Sequence, residues 1–244
     1  MLKLKNYFHA ILLGSLMFSC NQNEKSNLEH LMIVKGSIKG LRKGKLYLQR
    51  IKDTTLINLD STYVDGSPEF SFQTPIKTAE VFYLYLNKDD GDSLNDRIMF
   101  FGEKGTIEIN TLLKTFESSA KISGSKNQEL LQKYQSMNRK FNDKNLDLLK
   151  DLYVAKGEKK FERVDTLQKK IANLLNRRYL YTINFAVQNP DQNIAPYLAI
   201  TQVYNANLTL LDSIANKLTN EVKASKYGIE FLNLLEKRRK NERS

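Results

Sequence analysis

The stretch "AEVFYLYLN", residues 79–87, sets Val81, Tyr83 and Tyr85 on one side of an extended chain and Phe82, Leu84 and Leu86 on the other, because successive side chains of a strand point to opposite faces. Both faces are therefore apolar or amphipathic. Such a strand belongs at the centre of a sheet, or between a sheet and a layer of helices. The same period of two runs outward from it through "LMIVKGSIKG" (31–40), "GKLYLQRI" (44–51), "TTLINLDSTYV" (54–64), "EFSFQT" (69–74), "DRIMFF" (96–101) and "GTIEIN" (105–110). In "GKLYLQRI", Leu46 and Leu48 share one face, and Lys45, Tyr47 and Gln49 the other. Gly40, Gly44, Gly66, Gly91 and Gly105 are expected to mark the reversals between strands.

After residue 122 the period becomes helical. Ser125 caps "KNQELLQKYQ", with Gln128 placed to reach back in a capping box. Phe161, Val164, Leu167, Ile171, Leu174 and Leu175 recur at helical intervals in a second long helix, which Asn189 and Pro190 stop. "IAPYLAITQVYN" (194–205), "LTLLDSIANKLT" (208–219) and "SKYGIEFLNLLEKRRK" (225–240) read as three shorter helices. The expected fold is α+β: an antiparallel β-sandwich or partly open barrel over residues 31–122, then a helical region over 123–244. Whether these are two modules or one unit stays open at this level.

The chain begins "MLKLKNYFHAILLGSLMFSC", with Lys3 and Lys5 ahead of an apolar run and Cys20, the single cysteine, at its end. The run is too short to span a bilayer, which takes roughly 20 apolar residues, and it suits an export signal over residues 1–19. A polar tether, "NQNEKSNLEH", follows the cysteine, so residues 20–30 are expected to lie outside the fold. Three readings of Cys20 compete: an attachment point for lipid, a residue beside an ordinary secretory cleavage, or a buried thiol in a retained terminus. With no second cysteine, disulfide exchange has no resolving partner.

"LMFSC" resembles the lipobox of bacterial lipoproteins, with Ser19 small as the pattern requires and Phe18 larger than usual. That resemblance implies that Cys20 carries a diacylglycerol and that the chain is lipid-anchored in the envelope. The outer membrane is the expected place, on its periplasmic side because "CNQNEK" lacks the acidic run of surface-exported lipoproteins, with the outer surface left open as the alternative. "LMIVKGSIKGLRKGKLYLQRI", with "YVDGSPEFSFQTP" and "GEKGTIEIN" further on, resembles the domain of unknown function 4369, which follows a lipoprotein signal in many Bacteroidetes envelope proteins. More loosely, the helices ending in "SKYGIEFLNLLEK" are similar to the non-catalytic part of thioredoxin-like envelope lipoproteins. No Cys-x-x-Cys motif is present, so no redox role carries over.

The formal net charge is +11. Basic surfaces attract nucleic acid, anionic lipid and acidic proteins alike, and for an exported chain the expected partners are the membrane, through Cys20, and an envelope protein or small ligand, not nucleic acid. The cations of "LLEKRRKNERS" fit a solvated helix end. His30 is the one histidine after Cys20, too few for a zinc site or a catalytic triad. Asp89, Asp90, Asp92 and Asp96 cluster around Gly91 as a weak candidate metal loop, but glycine and glutamate positions do not match a calcium-binding hand. No phosphate-binding loop, dinucleotide fingerprint or nucleophile elbow is present, so no catalytic residue and no cofactor is expected.

Twelve tyrosines and twelve phenylalanines with no tryptophan leave Tyr83, Tyr85, Arg177, Arg178 and Tyr181 as a candidate binding surface, with core packing as the competing reading. Tyrosine offers rigid area with a hydrogen-bonding tip. The expected function is non-catalytic binding or accessory work in the envelope. The alternatives are an envelope enzyme component, either a hydrolase or a thiol-disulfide pathway accessory, and a purely structural lipoprotein.

Overall fold

The computed structural model describes residues 30–87 and 97–243. Cys20, the signal, nearly all of the tether, Gly91 and the aspartates Asp89, Asp90, Asp92 and Asp96 lie outside the described residues.

Among the described residues eight strands form two four-stranded sheets in the order β4-β1-β7-β8 and β3-β2-β5-β6. The first sheet joins β1 (Leu31–Lys39), β4 (Glu69–Pro75), β7 (Gly105–Leu112) and β8 (Lys121–Ser123). The second joins β2 (Lys43–Lys52), β3 (Thr55–Asp65), β5 (Glu80–Asn87) and β6 (Arg97–Gly102). Neither closes into a barrel. Seven of the eight strands are the period-two runs of the sequence; β8 is a three-residue strand at the boundary where the period changes, too short to show alternation.

Apolar alternation builds the sandwich. Met32 and Val34 of β1, Leu46 and Leu48 of β2, Phe70 and Phe72 of β4, Phe82, Leu84 and Leu86 of β5, and Ile107 and Ile109 of β7 fill the space between the sheets. Phe82 and Phe100 stack there with centroids 5.9 Å apart. A register shift opposite Leu48 and Gln49 leaves Leu59 without a partner in the ladder, and its side chain packs against this core. A bulge of that kind re-aims one residue at the cost of one pairing.

Two details depart from the sequence reading. β1 and β7 run parallel, whereas the other pairs are antiparallel. They approach so closely at Gly36 that an added Cβ would lie 1.8 Å from the carbonyl oxygen of Ile109. Gly44 is a paired strand residue opposite Val64, not a reversal; the turn before it uses Gly40, at φ 95.

The helical part comprises α1 (Lys126–Gly157), α2 (Phe161–Gln188), α3 (Ile194–Gln202), α4 (Leu208–Lys217), α5 (Asn220–Lys223) and α6 (Lys226–Arg243). A core of alanines and larger apolar residues, including Ala186, Ala199, Leu211, Ile214 and Phe231, holds α2 to α6 together. A second cluster joins helices to sheet: Val81 and Phe101 pack against Leu131, Tyr134, Phe185, Leu198 and Tyr227. So β5 is buried on both faces, by the opposite sheet and by the helices.

Polar contacts fix this joint. Ser125 caps α1 by accepting from the Gln128 N–H at 3.0 Å, but the Gln128 side chain does not complete a capping box. Its Oε1 accepts from the backbone N–H of Phe101 at 2.8 Å. Asn127 accepts from the Ile194 N–H at 2.9 Å, at the start of α3, and donates to Glu103 at 2.7 Å. At the first turn of α6, the Tyr227 hydroxyl accepts from the Val81 N–H at 2.9 Å. Lys226 and Arg50 both pair with Glu80, whose side chain is 8% exposed.

Candidate binding surface on the second sheet

The helices cover only part of the outer face of the second sheet. Beyond their edge, β2, β5 and β6 present a ladder of side chains in register: Tyr47 opposite Tyr85, and Tyr85 opposite Arg97. The Tyr47 and Tyr85 rings stack at 5.8 Å and 28°. Lys45 lies 5.1 Å above the Tyr47 ring, and the Arg97 guanidinium carbon 4.9 Å from the centre of Tyr85. Arg97 Nε donates to Gln49 Oε1 at 3.1 Å, and Gln49 Nε2 to Asn58 Oδ1 at 2.7 Å. This amide chain holds the guanidinium against the ring, so the surface is ordered before anything binds it. Tyr63, 59% exposed and opposite Lys45, extends it onto β3.

β6 also borders a cleft of about 780 Å³ between the two sheets and α1. Ile98 and Met99 form one wall, Glu117, Ser118 and Lys121 a second, and Gln128, Gln132, Gln135, Asn138 and Arg139 of α1 the third. A shallower depression on the first sheet contains Lys35, Ser37, Glu69, Ser71, Glu108 and Asn110. There Asn110 accepts from Ser37 and donates to Glu108, the pairing expected of a solvated face.

The residues singled out from sequence divide between these settings. Tyr85 belongs to the open ladder. Tyr83 packs with Tyr181 and Tyr197 in the joint between sheet and helices. Tyr181 stacks on Tyr134 at 6.0 Å and contacts Phe141 and Phe185. Arg178 donates to Asn142 at 3.1 Å, tying α2 to α1, and Arg177 is exposed on α2. The five therefore do not form one surface, and Tyr47, Arg97, Gln49 and Lys45 are the companions of Tyr85 that the sequence reading left out.

Burial raises the phenol pKa of Tyr134, Tyr181 and Tyr227. Tyr197 is pushed up to about 12, first by burial and then by Tyr83. These tyrosines stay protonated across the neutral range and act as hydrogen-bonding packing groups. Among the described residues no group of three His, Cys, Asp or Glu side chains could hold a metal ion. No helix among them is long and apolar enough to cross a membrane.

A two-sheet sandwich with a helical layer on one face defines the architectural class. Residues 32–131, from β1 into the opening turns of α1, match the family model described as "Domain of unknown function (DUF4369)". No curated protein matches the chain. A solved structure named "pT26-6p" aligns at 15% identity with a TM-score of 0.23, over 80% of this chain and 42% of its own. The chain thus spans less than half of that protein's length, and a likeness at this score carries no argument.

Proposed function

We propose that this protein is a non-catalytic binding component of a bacterial cell envelope, lipidated at Cys20, held at the outer membrane on its periplasmic side, and docking its partner on the uncovered part of the second sheet. The observation that carries the reading is the Tyr47–Tyr85–Arg97 ladder, whose rings and guanidinium are held in place yet not covered by the helices. Ordered aromatic and arginine side chains supply much of the affinity at protein interfaces. Anchoring is supported by "LMFSC" followed by a polar tether, and the thioredoxin-like resemblance supports an accessory role beside envelope thiol proteins. Two attached acyl chains would hold the protein firmly, since each buried CH2 contributes about 0.8 kcal/mol.

The test is site-specific photocrosslinking in intact cells, with a benzophenone amino acid replacing Tyr47 and, as the comparison, Ser71 on the opposite sheet. A discrete adduct from position 47 and none from position 71 is the expected result. Equal patterns at both positions, or none at position 47, would overturn the reading.

A further inference from the structure

The cleft beside β6 has the chemistry to receive a peptide backbone. β6 is the outermost strand of its sheet among the described residues, and its register with β5 pairs Val81 with Phe101, Tyr83 with Met99 and Tyr85 with Arg97. Alternate pairs of an antiparallel ladder turn their N–H and C=O groups away from each other. Phe101 is in such a pair, because its N–H is given to Gln128 Oε1 at 2.8 Å, outside the sheet. Two residues earlier, Met99 has the same phase, so its N–H and C=O also point away from β5, and Met99 lines the cleft.

Gln128 thus already places one amide where an added strand would begin. Gln132, Gln135 and Arg139 follow it on the same helical face of α1, at the spacing that keeps side chains in line. An unpaired edge strand is a template for another strand. Facing it across the cleft is a row of amides: Gln128 holds the Phe101 N–H and Gln132 donates to the Ile122 carbonyl at 3.5 Å, and their remaining donor and acceptor sites, with Gln135, can meet a backbone on its far side. The charged groups of the cleft, Lys121 and Arg139 against Glu117, leave an excess of positive charge.

We infer that β6 receives an extended, acidic peptide segment of a partner protein, added as a further strand in register with Met99 and clasped by the amide row of α1. This rests on the binding reading above but narrows it to one edge and one ligand chemistry. Main-chain hydrogen bonds would give the affinity and alternate side chains the specificity.

The probes are capped, fluorescein-labelled heptapeptides in which valine alternates with aspartate, serine or lysine, measured by fluorescence anisotropy. The aspartate peptide is expected to bind most tightly. N-methylation of every second amide, which removes strand hydrogen bonds without changing side chains, is expected to weaken it by at least about tenfold, the loss of about 1.4 kcal/mol. Met99→Pro should do the same; its outward N–H is not used in the sheet and proline is tolerated on edges, so the far-UV spectrum should stay that of wild type although the lost Met99 packing lowers the melting temperature. Arg139→Glu should reduce the preference for aspartate over lysine.

Equal binding of the N-methylated and parent peptides would overturn strand addition, as would failure of all three peptides to bind at millimolar concentration. A lysine peptide that binds as well as the aspartate peptide would overturn the acidic assignment. A Tyr47 crosslink that persists when no peptide binds would leave the general binding reading standing without this edge. Loss of the crosslink with peptide binding intact would do the reverse.

Discussion

Replacing Gln128 with methionine tests whether one side-chain amide closes the joint between sheet and helices. Gln128 is 3% exposed, and the Phe101 residue whose N–H it accepts is 0% exposed. Methionine has similar length and helix propensity, so the change removes the acceptor with little change in volume or helix formation. A buried N–H left without a partner costs about 1–3 kcal/mol. For a chain of this size each kcal/mol moves the melting temperature by about 2–4 °C, so the expected drop is roughly 2–12 °C. Urea titration with and without the substitution gives the energy, and hydrogen exchange at the Phe101 amide locates it. Ser125→Ala should cost about 1 kcal/mol by itself, and because Ser125 accepts from the Gln128 N–H in the same turn the two losses are measured singly and not summed. A variant within about 0.5 kcal/mol of wild type, with unchanged exchange at Phe101, would refute the assignment.

Two further substitutions test the docking of α6. Glycine to alanine inside a helix ordinarily stabilises by about 1 kcal/mol, but at Gly228 the new Cβ would lie 1.9 Å from the Val222 carbonyl oxygen. Gly228→Ala should therefore lower the melting temperature, whereas Gly157→Ala, where nothing lies within 4 Å, should hold or raise it; the opposite order in a thermal melt would sink the reading. Glu230 has its pKa raised, chiefly by burial and also by Glu80, with Lys226 opposing. A carboxyl whose folded pKa exceeds its unfolded value favours folding below the unfolded pKa and loses that contribution as pH rises through the folded one. Glu230→Gln should thus gain stability relative to wild type as pH rises from about 3 to 7, and a gain that grows toward acid would contradict it.

The fold was legible where burial imposes a period. Alternation in β5 announced a strand buried on both sides, and the structure supplies both covers, sandwich core and helical layer. Pairing was not legible, because alternation says which face a side chain takes and nothing about the neighbouring strand. The parallel contact of β1 with β7 and the meeting of Tyr47 with Tyr85 both depend on pairing. Lys45, Tyr47 and Gln49 were correctly set on one face of β2, but only the β2–β5–β6 order brings them to Tyr85 and Arg97. Tyr83 differs from Tyr85 only in position along the same strand, and the edge of the helical layer falls between them. The cleft was invisible for a related reason: its walls come from β6, the segment around Lys121 and α1, with no local pattern linking them.

The family match ends at Leu131, beyond the last strand and inside α1, and the hydrogen bonds give this boundary a physical sense. Without the first turns of α1, the Phe101 N–H would lose Gln128 and the outer side of β6 would have no facing wall. The sandwich is therefore completed by a piece of helix, and that same piece starts the long helical hairpin and, through Asn127, caps α3. A single turn thus touches the strand edge, the hairpin and the helical core. A peptide seated along β6 would press on the turn that orients the helices, so binding at the edge would also stiffen the joint around Phe101. Slower exchange at the Ile194 amide on peptide binding is the consequence that separates this coupling from a peptide that rests on β6 alone.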